Sequence, residues 1–377
     1  MPCHNHLTFW LSTLAIAFLS GCASDDQLRG PLPPRPADVQ AKIGKLLPAK
    51  MEDRKEWAVD IYAAFASLEI APSTNNICAV LAVSEQESGF RADPVVHNLG
   101  KISWGEIDRR AQRMGIPAFA VRIALKLSSP NGKSYGERID AVTTEKELSE
   151  IFEDFIGEVP LGKRLFAGLN PVRTAGAMQV SIAFAENHTR ERSYPYTVSE
   201  SIRHEVFTRR GGLYFGIAHL LDYPAAYDKH LYRFADFNAG RYASRNAAFQ
   251  NAVTLASGIP LDLDGDLIRH DGSDDSTPGN TERAVRAIRK TLDLSERDIR
   301  SALEQGDSKT FEQSDLYQRV FDMADRMERK ELPRAVLPRI DLHGPKITRK
   351  LTTEWFARRV DSRHQRCLAL ANKLDLD

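Results

Sequence analysis

The stretch STNNICAVLAVSEQESGF, residues 73–90, decides how the rest of the sequence is interpreted. It opens with Ser, Thr and Asn, which are favoured helix N-cap residues, and its apolar residues then recur at helical spacing. The pattern predicts a helix with one buried face. Glu85 and Glu87 follow near its end and lie about 200° apart around a helix. Glu87 is therefore predicted beside the buried face, and Glu85 is predicted to point to solvent.

Glu87 is the candidate general acid of this stretch. Apolar surroundings disfavour the ionised form of a carboxyl group and raise its pKa. A rise from about 4.3 towards about 6 corresponds to roughly 2 kcal/mol of preference for the protonated form. The alternative is an ordinary solvated helix end, and this stretch taken alone favours that alternative.

Helical patterns also dominate the rest of the sequence. Thr144 and Glu147 form a capping box ahead of an amphipathic segment, and Ser295 with Asp298 repeats the pattern with a shorter acid. Further amphipathic segments cover residues 53–70, 315–330 and 352–374. No long alternating run predicts a strand, so the predicted fold class is mainly α.

The N-terminus has the composition of a secretory signal. Residues 1–21 contain no Lys, Arg, Asp or Glu, and their apolar stretch is shorter than the roughly 20 residues that a membrane span needs. Small residues before Cys22 are similar to a bacterial lipobox, which predicts a signal peptide over 1–21 and a lipidated Cys22. Residues 22–45 would be a proline-rich tether. Ala23 after the cysteine resembles the pattern of sorted lipoproteins, and this resemblance implies the outer membrane, facing the periplasm. The alternative is an ordinary signal peptide with a chance cysteine.

Charge and cysteine content exclude several kinds of site. The 51 basic and 51 acidic residues leave the chain neutral, and without a basic cluster no nucleic-acid partner is expected. There is no CxxC and no HExxH, and the aspartate-rich residues 260–272 lack the EF-hand order, so no metal or other cofactor is predicted. Cys78 and Cys367 either form a disulfide that ties the C-terminal helix to the core or remain separate buried thiols, which is the interpretation we favour.

Two later stretches bear on the role of Glu87. TAGAMQVS, residues 174–181, has Gly and Ala, which allow close backbone approach, followed by Met and Gln. FADFNAGRYASRNAAFQ, residues 234–250, contains Asn-Ala-Gly at the end of a helix-like segment. Between them, GGLYFGIAHLLDY at 211–223 predicts an apolar helix.

Glu-Ser-x-Phe, Gly-x-Met-Gln and an aromatic residue with Asn-Ala-Gly, in this order, resemble the catalytic domain of soluble-type lytic transglycosylases. These are lysozyme-like enzymes that cleave peptidoglycan. The resemblance covers roughly residues 57–100 and 172–256, and it implies a goose-type, lysozyme-like helical domain over 46–258. A large helical insertion at about 101–171 would interrupt this domain, and a helical extension would follow at 259–377. The whole chain also resembles a family of uncharacterised bacterial lipoproteins.

The resemblance implies a role for each matching residue. Glu87 would be the sole catalytic acid and base, and Ser88 would orient local structure or substrate. Met178 and Gln179 would line the substrate cleft, with Gln179 contacting sugar, and Asn238 would hold the opposite wall. The alternatives are core packing for Met178 and helix capping for Asn238.

Departures from the family pattern affect the implied activity. Phe237 stands where the family usually has Tyr, so a hydroxyl group that could contact the glutamate or the substrate is absent. Ala replaces the commoner Leu in Gly-Leu-Met-Gln, which is a milder change. Phe90 and Gly176 are separated by 85 residues, several times the usual interval. Asp236, the acid nearest to the third motif, is predicted to be exposed.

The sequence therefore predicts a lytic transglycosylase that cleaves the bond between N-acetylmuramic acid and N-acetylglucosamine in peptidoglycan. Glu87 would protonate the glycosidic oxygen, and the sugar's own 6-hydroxyl would attack C1 to give a 1,6-anhydro end. One carboxyl group suffices for this reaction, whereas most glycosidases use two. The alternatives are a hydrolysing muramidase with the same acid and a non-catalytic peptidoglycan-binding or scaffold lipoprotein.

Overall fold

Helices make up nearly all of the regular secondary structure in the computed structural model, which describes residues 35–158, 166–269, 277–344 and 349–376 together with Leu161 and Arg164. Seventeen helices and four two-residue strands lie in these residues. The predicted mainly α class is confirmed. None of the described helices combines the length and the apolar character that a membrane crossing requires. The predicted signal peptide and Cys22 lie outside the described residues.

The helices follow one another with short connections and two small hairpins. In chain order the helices are α1 (Pro36–Leu46), α2 (Arg54–Ser67), α3 (Thr74–Ser88), α4 (Leu99–Arg113), α5 (Ala118–Ala124), α6 (Tyr135–Ala141), α7 (Glu145–Gly157), α8 (Ile182–Glu191), α9 (Ile202–Phe207), α10 (Arg209–Leu221), α11 (His230–Ala239), α12 (Ala243–Ser257), α13 (Asn280–Ala287), α14 (Arg289–Leu292), α15 (Glu296–Leu303), α16 (Asp315–Glu328) and α17 (Thr353–Lys373). Strand β1 (Thr174–Ala175) pairs antiparallel with β2 (Val180–Ser181), and β3 (Asp341–Leu342) pairs antiparallel with β4 (Leu351–Thr352).

Helix α3 is the central helix of the main core. It begins after Ser73, whose hydroxyl accepts a hydrogen bond from the Asn76 amide (3.2 Å). Every residue from Ile77 to Ser84 is buried, so the helix is covered all round rather than on the single face that the sequence predicted. A helix that is apolar on all sides needs neighbours on all sides. Helix α17 packs along α3 and also contacts α11, while α10 packs on α2 and α3.

A disulfide between Cys78 and Cys367 fastens α17 to α3 across a sequence separation of 289 residues. The interpretation favoured from the sequence, two separate thiols, is wrong. Glu85 adds ion pairs between the same two helices, to Arg363 (3.3 Å) and Arg366 (3.1 Å). Its side chain is half-exposed and paired, whereas the sequence predicted a solvated group.

Helix α1 occupies part of the predicted tether. Val39 and Ile43 are buried in the main core, where α1 packs on α2. The prediction of a tether is therefore wrong for residues 36–45, and residues 22–34 lie outside the described chain. From Pro36 onward the chain forms one compact unit. Removal of residues 1–22 consequently leaves every described contact in place.

A second core lies between α12 and the helices that follow it. Phe249 of α12 packs on Phe311 (ring centroids 5.0 Å apart), and the buried Arg245 donates a hydrogen bond to the Ser308 carbonyl oxygen (2.8 Å). The capping box predicted at Ser295 is confirmed at the start of α15. The predicted C-terminal extension therefore contributes to both cores. Helices α13 to α16 pack next to α12 in the second core, and α17 packs in the main core.

The predicted insertion contains α4 to α7 and a small core of its own, with Leu99, Tyr135 and Ile151 among its buried residues. The capping box predicted from Thr144 and Glu147 is confirmed. Thr144 Oγ1 accepts a hydrogen bond from the Glu147 amide (3.3 Å), and the Glu147 carboxylate accepts one from the Thr144 amide (3.1 Å). The insertion therefore has both the helices and the helix starts that the sequence predicted.

Loss of the disulfide is expected to destabilise the fold. Without residues 1–22 the chain retains two cysteines, so Cys78→Ala/Cys367→Ala removes the cross-link and leaves no free thiol. A cross-link that closes a long loop restricts the unfolded chain, and we expect its removal to lower the free energy of unfolding by on the order of 3 kcal/mol, measured by urea denaturation. Wild-type protein in reductant should match the variant. Equal midpoints for oxidised and reduced protein would contradict the role given to the disulfide.

Candidate active site

The end of α3 is shaped by two residues with positive φ. Gly89 has φ +60° and Phe90 has φ +63°, and both amides donate hydrogen bonds back into the last turn of the helix. The Phe90 ring then packs edge-on against the buried Trp57 (ring centroids 5.8 Å apart). The chain therefore leaves the helix in one fixed direction, and Glu87 is held in the last turn.

Glu87 differs from its neighbour Glu85 in having no charged partner among the described residues. Its side chain is partly exposed, while protein atoms around the carboxyl group raise its pKa from 4.5 to about 8 by desolvation. No described residue forms a hydrogen bond or an ion pair with this carboxyl group. At neutral pH the group is mostly protonated, and it remains within reach of a ligand.

Ser88 ties the end of α3 to the β1–β2 hairpin. Its hydroxyl donates to the Ala177 carbonyl oxygen (2.7 Å), with the Ser84 carbonyl oxygen as a second acceptor (3.1 Å), and it accepts from the Arg91 amide (3.1 Å). Ala177 belongs to the second motif and Ser88 follows Glu87 directly. The structure thus brings the first two motifs together. The hydrogen bonds of Ser88 hold the end of α3 against the hairpin.

Glycine is required where this hairpin meets α9 and α10. At Gly176 (φ +78°) an added Cβ atom would lie 2.3 Å from the Val206 carbonyl oxygen. At Gly216 of α10 an added Cβ atom would lie 2.5 Å from Sδ of Met178, which is fully buried. Met178 therefore packs in the core, the alternative role left open by the sequence, and presents no surface to a ligand in this conformation.

Gln179 stabilises the hairpin as well. Its backbone has φ +50°, and its side-chain amide donates to the Gly176 carbonyl oxygen (3.2 Å) and accepts from the Thr174 hydroxyl (3.3 Å). The side chain is partly exposed. These hydrogen bonds use one of the two N–H groups and one of the two lone pairs of the amide, so the side chain retains capacity for a contact to sugar.

Aromatic rings connect the third motif to the same region. Phe237 of α11 packs edge-on against His219 of α10 (ring centroids 5.0 Å apart), and His219 packs against Phe184 of α8 (4.7 Å). Helix α8 begins at the end of β2, where Ser181 caps it by accepting from the Phe184 amide. The third motif is therefore linked by contacts to the hairpin that carries the second.

Asn238 itself lies against the C-terminal helix. The residue is exposed, and its Oδ1 atom accepts a hydrogen bond from the hydroxyl of the buried Thr353 (3.1 Å) at the start of α17. The structure places Asn238 in a contact between α11 and α17. Its role in a wall opposite Glu87 stays a prediction.

Asp236 is fully buried, and the prediction of an exposed side chain is wrong. Its carboxylate accepts hydrogen bonds from the hydroxyls of Tyr223 (3.0 Å) and Tyr227 and from the amides of Tyr242 (3.2 Å) and Ser244 (2.7 Å). Burial raises the pKa of Asp236, and these hydrogen bonds oppose the rise. Because protein groups surround the carboxylate, Asp236 fixes the connection between α11 and α12 rather than offering a second acid.

His219 is a residue of this region that the motifs did not reveal. Burial lowers the pKa of His219 to about 3, so the ring is neutral, and its buried Nδ1 atom has no hydrogen-bond partner among the described residues. Arg241 lies next to it, with its guanidinium group over the Phe184 ring (4.7 Å) and a hydrogen bond to the His219 carbonyl oxygen (3.3 Å). The sequence signal for His219 is an ionisable residue within the apolar run LYFGIAHLL, residues 213–221.

Other features of the surface lie apart from Glu87. A polar cavity of about 340 Å³ lies beside Arg241 and is lined also by His188, Arg192 and Asp222, but not by Glu87. Within the described residues, no group of three or more His, Cys, Asp or Glu side chains is arranged to hold a metal ion. The Glu87 carboxyl group is consequently the candidate reactive group of the site.

Comparison with known proteins gives a family for most of the chain. Residues 50–370 match the family described as Protein of unknown function (DUF1615). The chain belongs to the DUF1615 family. The matched range includes Glu87, the hairpin and both cysteines of the disulfide, and it begins after the predicted signal peptide and tether.

A bacterial relative extends this DUF1615 match over nearly the whole chain. The uncharacterized protein YaiW of Escherichia coli (strain K12) is 55% identical over 360 residues, which cover 95% of this chain and 97% of that protein. No solved structure matches the chain. The predicted membership in an uncharacterised bacterial family is confirmed, while lipidation and the lysozyme-like activity stay predictions for this DUF1615 member.

The raised pKa of Glu87 predicts a pH-dependent loss of stability. A carboxyl group with a higher pKa in the folded chain favours folding below its unfolded pKa of 4.5, and this contribution is lost as the pH rises through about 8. Relative to Glu87→Gln, wild-type protein should lose on the order of 4 kcal/mol of unfolding free energy between about pH 5 and about pH 9. Urea denaturation across this range measures the difference.

The matched control is Glu85→Gln, which should keep the pH dependence that Glu87→Gln removes. Glu85 lies two residues away and pairs with arginines of α17. Parallel stability profiles for the wild type and Glu87→Gln would contradict the desolvation of Glu87.

Proposed function

We propose that this chain is a peptidoglycan lytic transglycosylase with Glu87 as its single general acid and base. The observation that carries the proposal is the Glu87 carboxyl group, which is partly exposed, has no partner in the described chain and has its pKa raised to about 8. Such a group holds its proton at neutral pH and can transfer it to a ligand atom. The contact between Ser88 and the second motif supports the same reading of the three motifs.

In the first proposed step, protonated Glu87 gives its proton to the glycosidic oxygen between N-acetylmuramic acid and N-acetylglucosamine. The C1–O bond breaks, and the departing sugar keeps the proton as a hydroxyl group. Positive charge develops at C1 and at the ring oxygen of the muramic acid residue. Glu87 is left as a carboxylate, which stabilises that charge.

In the second proposed step, the 6-hydroxyl of the same muramic acid residue attacks C1. The Glu87 carboxylate takes the hydroxyl proton as the O6–C1 bond forms, and the product is a 1,6-anhydro end. Glu87 finishes protonated, as it began, and no water is consumed. A carboxyl group whose pKa lies near the working pH suits both directions of proton transfer.

The surrounding residues would position the substrate and the helix end rather than react. Ser88 would keep the end of α3 on the hairpin, and Met178 would support that hairpin from the core. Gln179 would contact sugar with the hydrogen-bonding capacity that its two internal hydrogen bonds leave on the side-chain amide. Asn238 would hold α11 against α17. These roles rest on the resemblance of the motifs together with the hydrogen bonds and burial described above.

A non-catalytic peptidoglycan-binding protein is the competing function, and Phe237 favours it. The resemblance expects a tyrosine hydroxyl at this position, whereas Phe237 has none and its ring packs against the neutral His219. A hydrolysing muramidase is the second alternative. It would use the same proton donor, but water would attack C1 and leave a reducing end.

The proposed location agrees with the proposed substrate. We propose that Cys22 is lipidated and anchors the chain to the outer membrane on its periplasmic side, where peptidoglycan lies within reach. The disulfide between Cys78 and Cys367 supports an oxidising compartment, in which such bonds persist.

Digestion of purified sacculi distinguishes the three functions. The chain without residues 1–22 is incubated with sacculi, and the released muropeptides are identified by mass spectrometry. We expect 1,6-anhydro ends from the wild type and a loss of at least about 100-fold for Glu87→Gln, because the proton donor is removed. Glu85→Gln, the matched control, should retain the wild-type rate.

The other outcomes assign the other functions. Reducing ends that depend on Glu87 identify a hydrolase. Sacculus binding by both the wild type and Glu87→Gln, with no release of muropeptides from either, would sink the enzymatic proposal and leave the binding protein.

A further inference from the structure

The insertion carries a stretch of unusual composition around α5, residues 109–133, which we call the basic apolar segment. Its 25 residues include six Arg or Lys residues and no Asp or Glu, although the whole chain is neutral. Apart from the adjacent Arg109 and Arg110, the basic residues are spaced among apolar and small polar ones.

Large apolar side chains are exposed in the same segment. Met114 is 62% exposed, Ile116 41%, Phe119 69%, Ile123 62% and Leu127 57%. They make up five of the fifteen exposed large apolar side chains among the described residues, and they fall within fourteen consecutive positions. Exposed apolar residues are ordinary when scattered, whereas a local concentration marks a surface that binds something.

Helix α5 has apolar residues on both of its sides. None of its residues is buried. Phe119 and Ile123 lie four positions apart, so they form one outward stripe. Ala120, Val121 and Ala124 line a cavity beneath. One side of the helix therefore lines an apolar cavity, and the other side exposes apolar side chains to solvent.

That cavity opens onto the exposed surface of the segment. Its volume is about 670 Å³, and its walls are mostly apolar, with Ile107 and Phe155 among them. Met114 and Ile116 belong both to the cavity wall and to the exposed group. Apolar surface is thus continuous from the outside of α5 into the insertion, and the cavity is in the size range of small-molecule sites.

The charges of the segment are arranged to attract anions. Arg113, Lys126 and Lys133 are exposed, and no described carboxylate forms an ion pair with them. The other three basic residues of the segment pair with Glu106 or Asp108, just before it in the chain. Arg113 precedes Phe119 and Ile123 in the chain, and Lys126 and Lys133 follow them, so basic residues without an ion-pair partner in the described chain flank the apolar stripe in sequence.

We propose that the basic apolar segment binds the surface of an anionic lipid bilayer. Phe119 and Ile123 enter the boundary between headgroups and acyl chains, while Arg113, Lys126 and Lys133 contact anionic headgroups. A bilayer that contains anionic lipid offers an apolar environment to the exposed apolar side chains and negative charge to the basic ones. The binding depends neither on Glu87 nor on a lipid at Cys22.

Flotation with lipid vesicles tests the inference on the chain without residues 1–22, which lacks Cys22 and keeps every described contact. Phosphatidylcholine vesicles with and without phosphatidylglycerol are compared at low and high salt. We expect binding to the phosphatidylglycerol vesicles that weakens with salt. Phe119→Ser/Ile123→Ser should weaken it by about tenfold or more, and Arg113→Gln/Lys126→Gln/Lys133→Gln should remove the preference for anionic lipid.

The matched control is Met327→Ser/Leu374→Ser, which removes two exposed apolar side chains elsewhere and should bind like the wild type. Circular dichroism is used to check that each variant folds. We expect each of them to fold because every substituted side chain is exposed. No flotation of the folded wild type, or equal flotation of all variants, would overturn the inference. A concentration-dependent dimer that Phe119→Ser/Ile123→Ser abolishes, without vesicle binding, would assign the surface to a second copy instead.

Discussion

The rest of the site depends on one constraint: the carboxyl group of Glu87 is desolvated, and no described residue places a positive charge beside it. Desolvation of an ionised carboxylate is unfavourable by several kcal/mol, so the folded chain favours the acid form of Glu87. The desolvation follows from the packing of α3, which is buried on every side from Ile77 to Ser84. At the end of such a helix, a side chain is near enough to the core to lose solvation and near enough to the surface to meet a ligand.

The support of that helix end comes from distant parts of the chain. The disulfide of Cys78 and the ion pairs of Glu85 attach α3 to α17, which lies near the C-terminus. Ser88 attaches it to the hairpin through Ala177. Contacts of α3 to other elements therefore lie both before and after Glu87 in the chain. The carboxyl group of Glu87 itself has no partner among the described residues. Loss of the disulfide is accordingly expected to act on the site through α3, whereas the partly exposed ion pairs of Glu85 contribute little to the position of Glu87.

Local sequence patterns predicted the helical fold class and two capping boxes, because each depends on residues close together in the chain. They could not reveal that α3 is covered all round, since covering helices come from other parts of the sequence. The same limit explains Cys78 and Cys367, whose pairing depends on tertiary proximity across 289 residues. The burial of Asp236 was not predicted, because no sequence pattern shows that Tyr223 and Tyr227 hydrogen-bond to its carboxylate.

The ionisation of Glu87 itself is the most direct measurement of the central claim. Glutamate labelled with ¹³C at the side-chain carboxyl carbon gives one signal per residue, and the signal absent from Glu87→Gln identifies this group. We predict that its chemical shift titrates with a midpoint near pH 8, far above the ordinary range of glutamate. A midpoint below about 5, within that ordinary range, would contradict a desolvated proton donor at the end of α3.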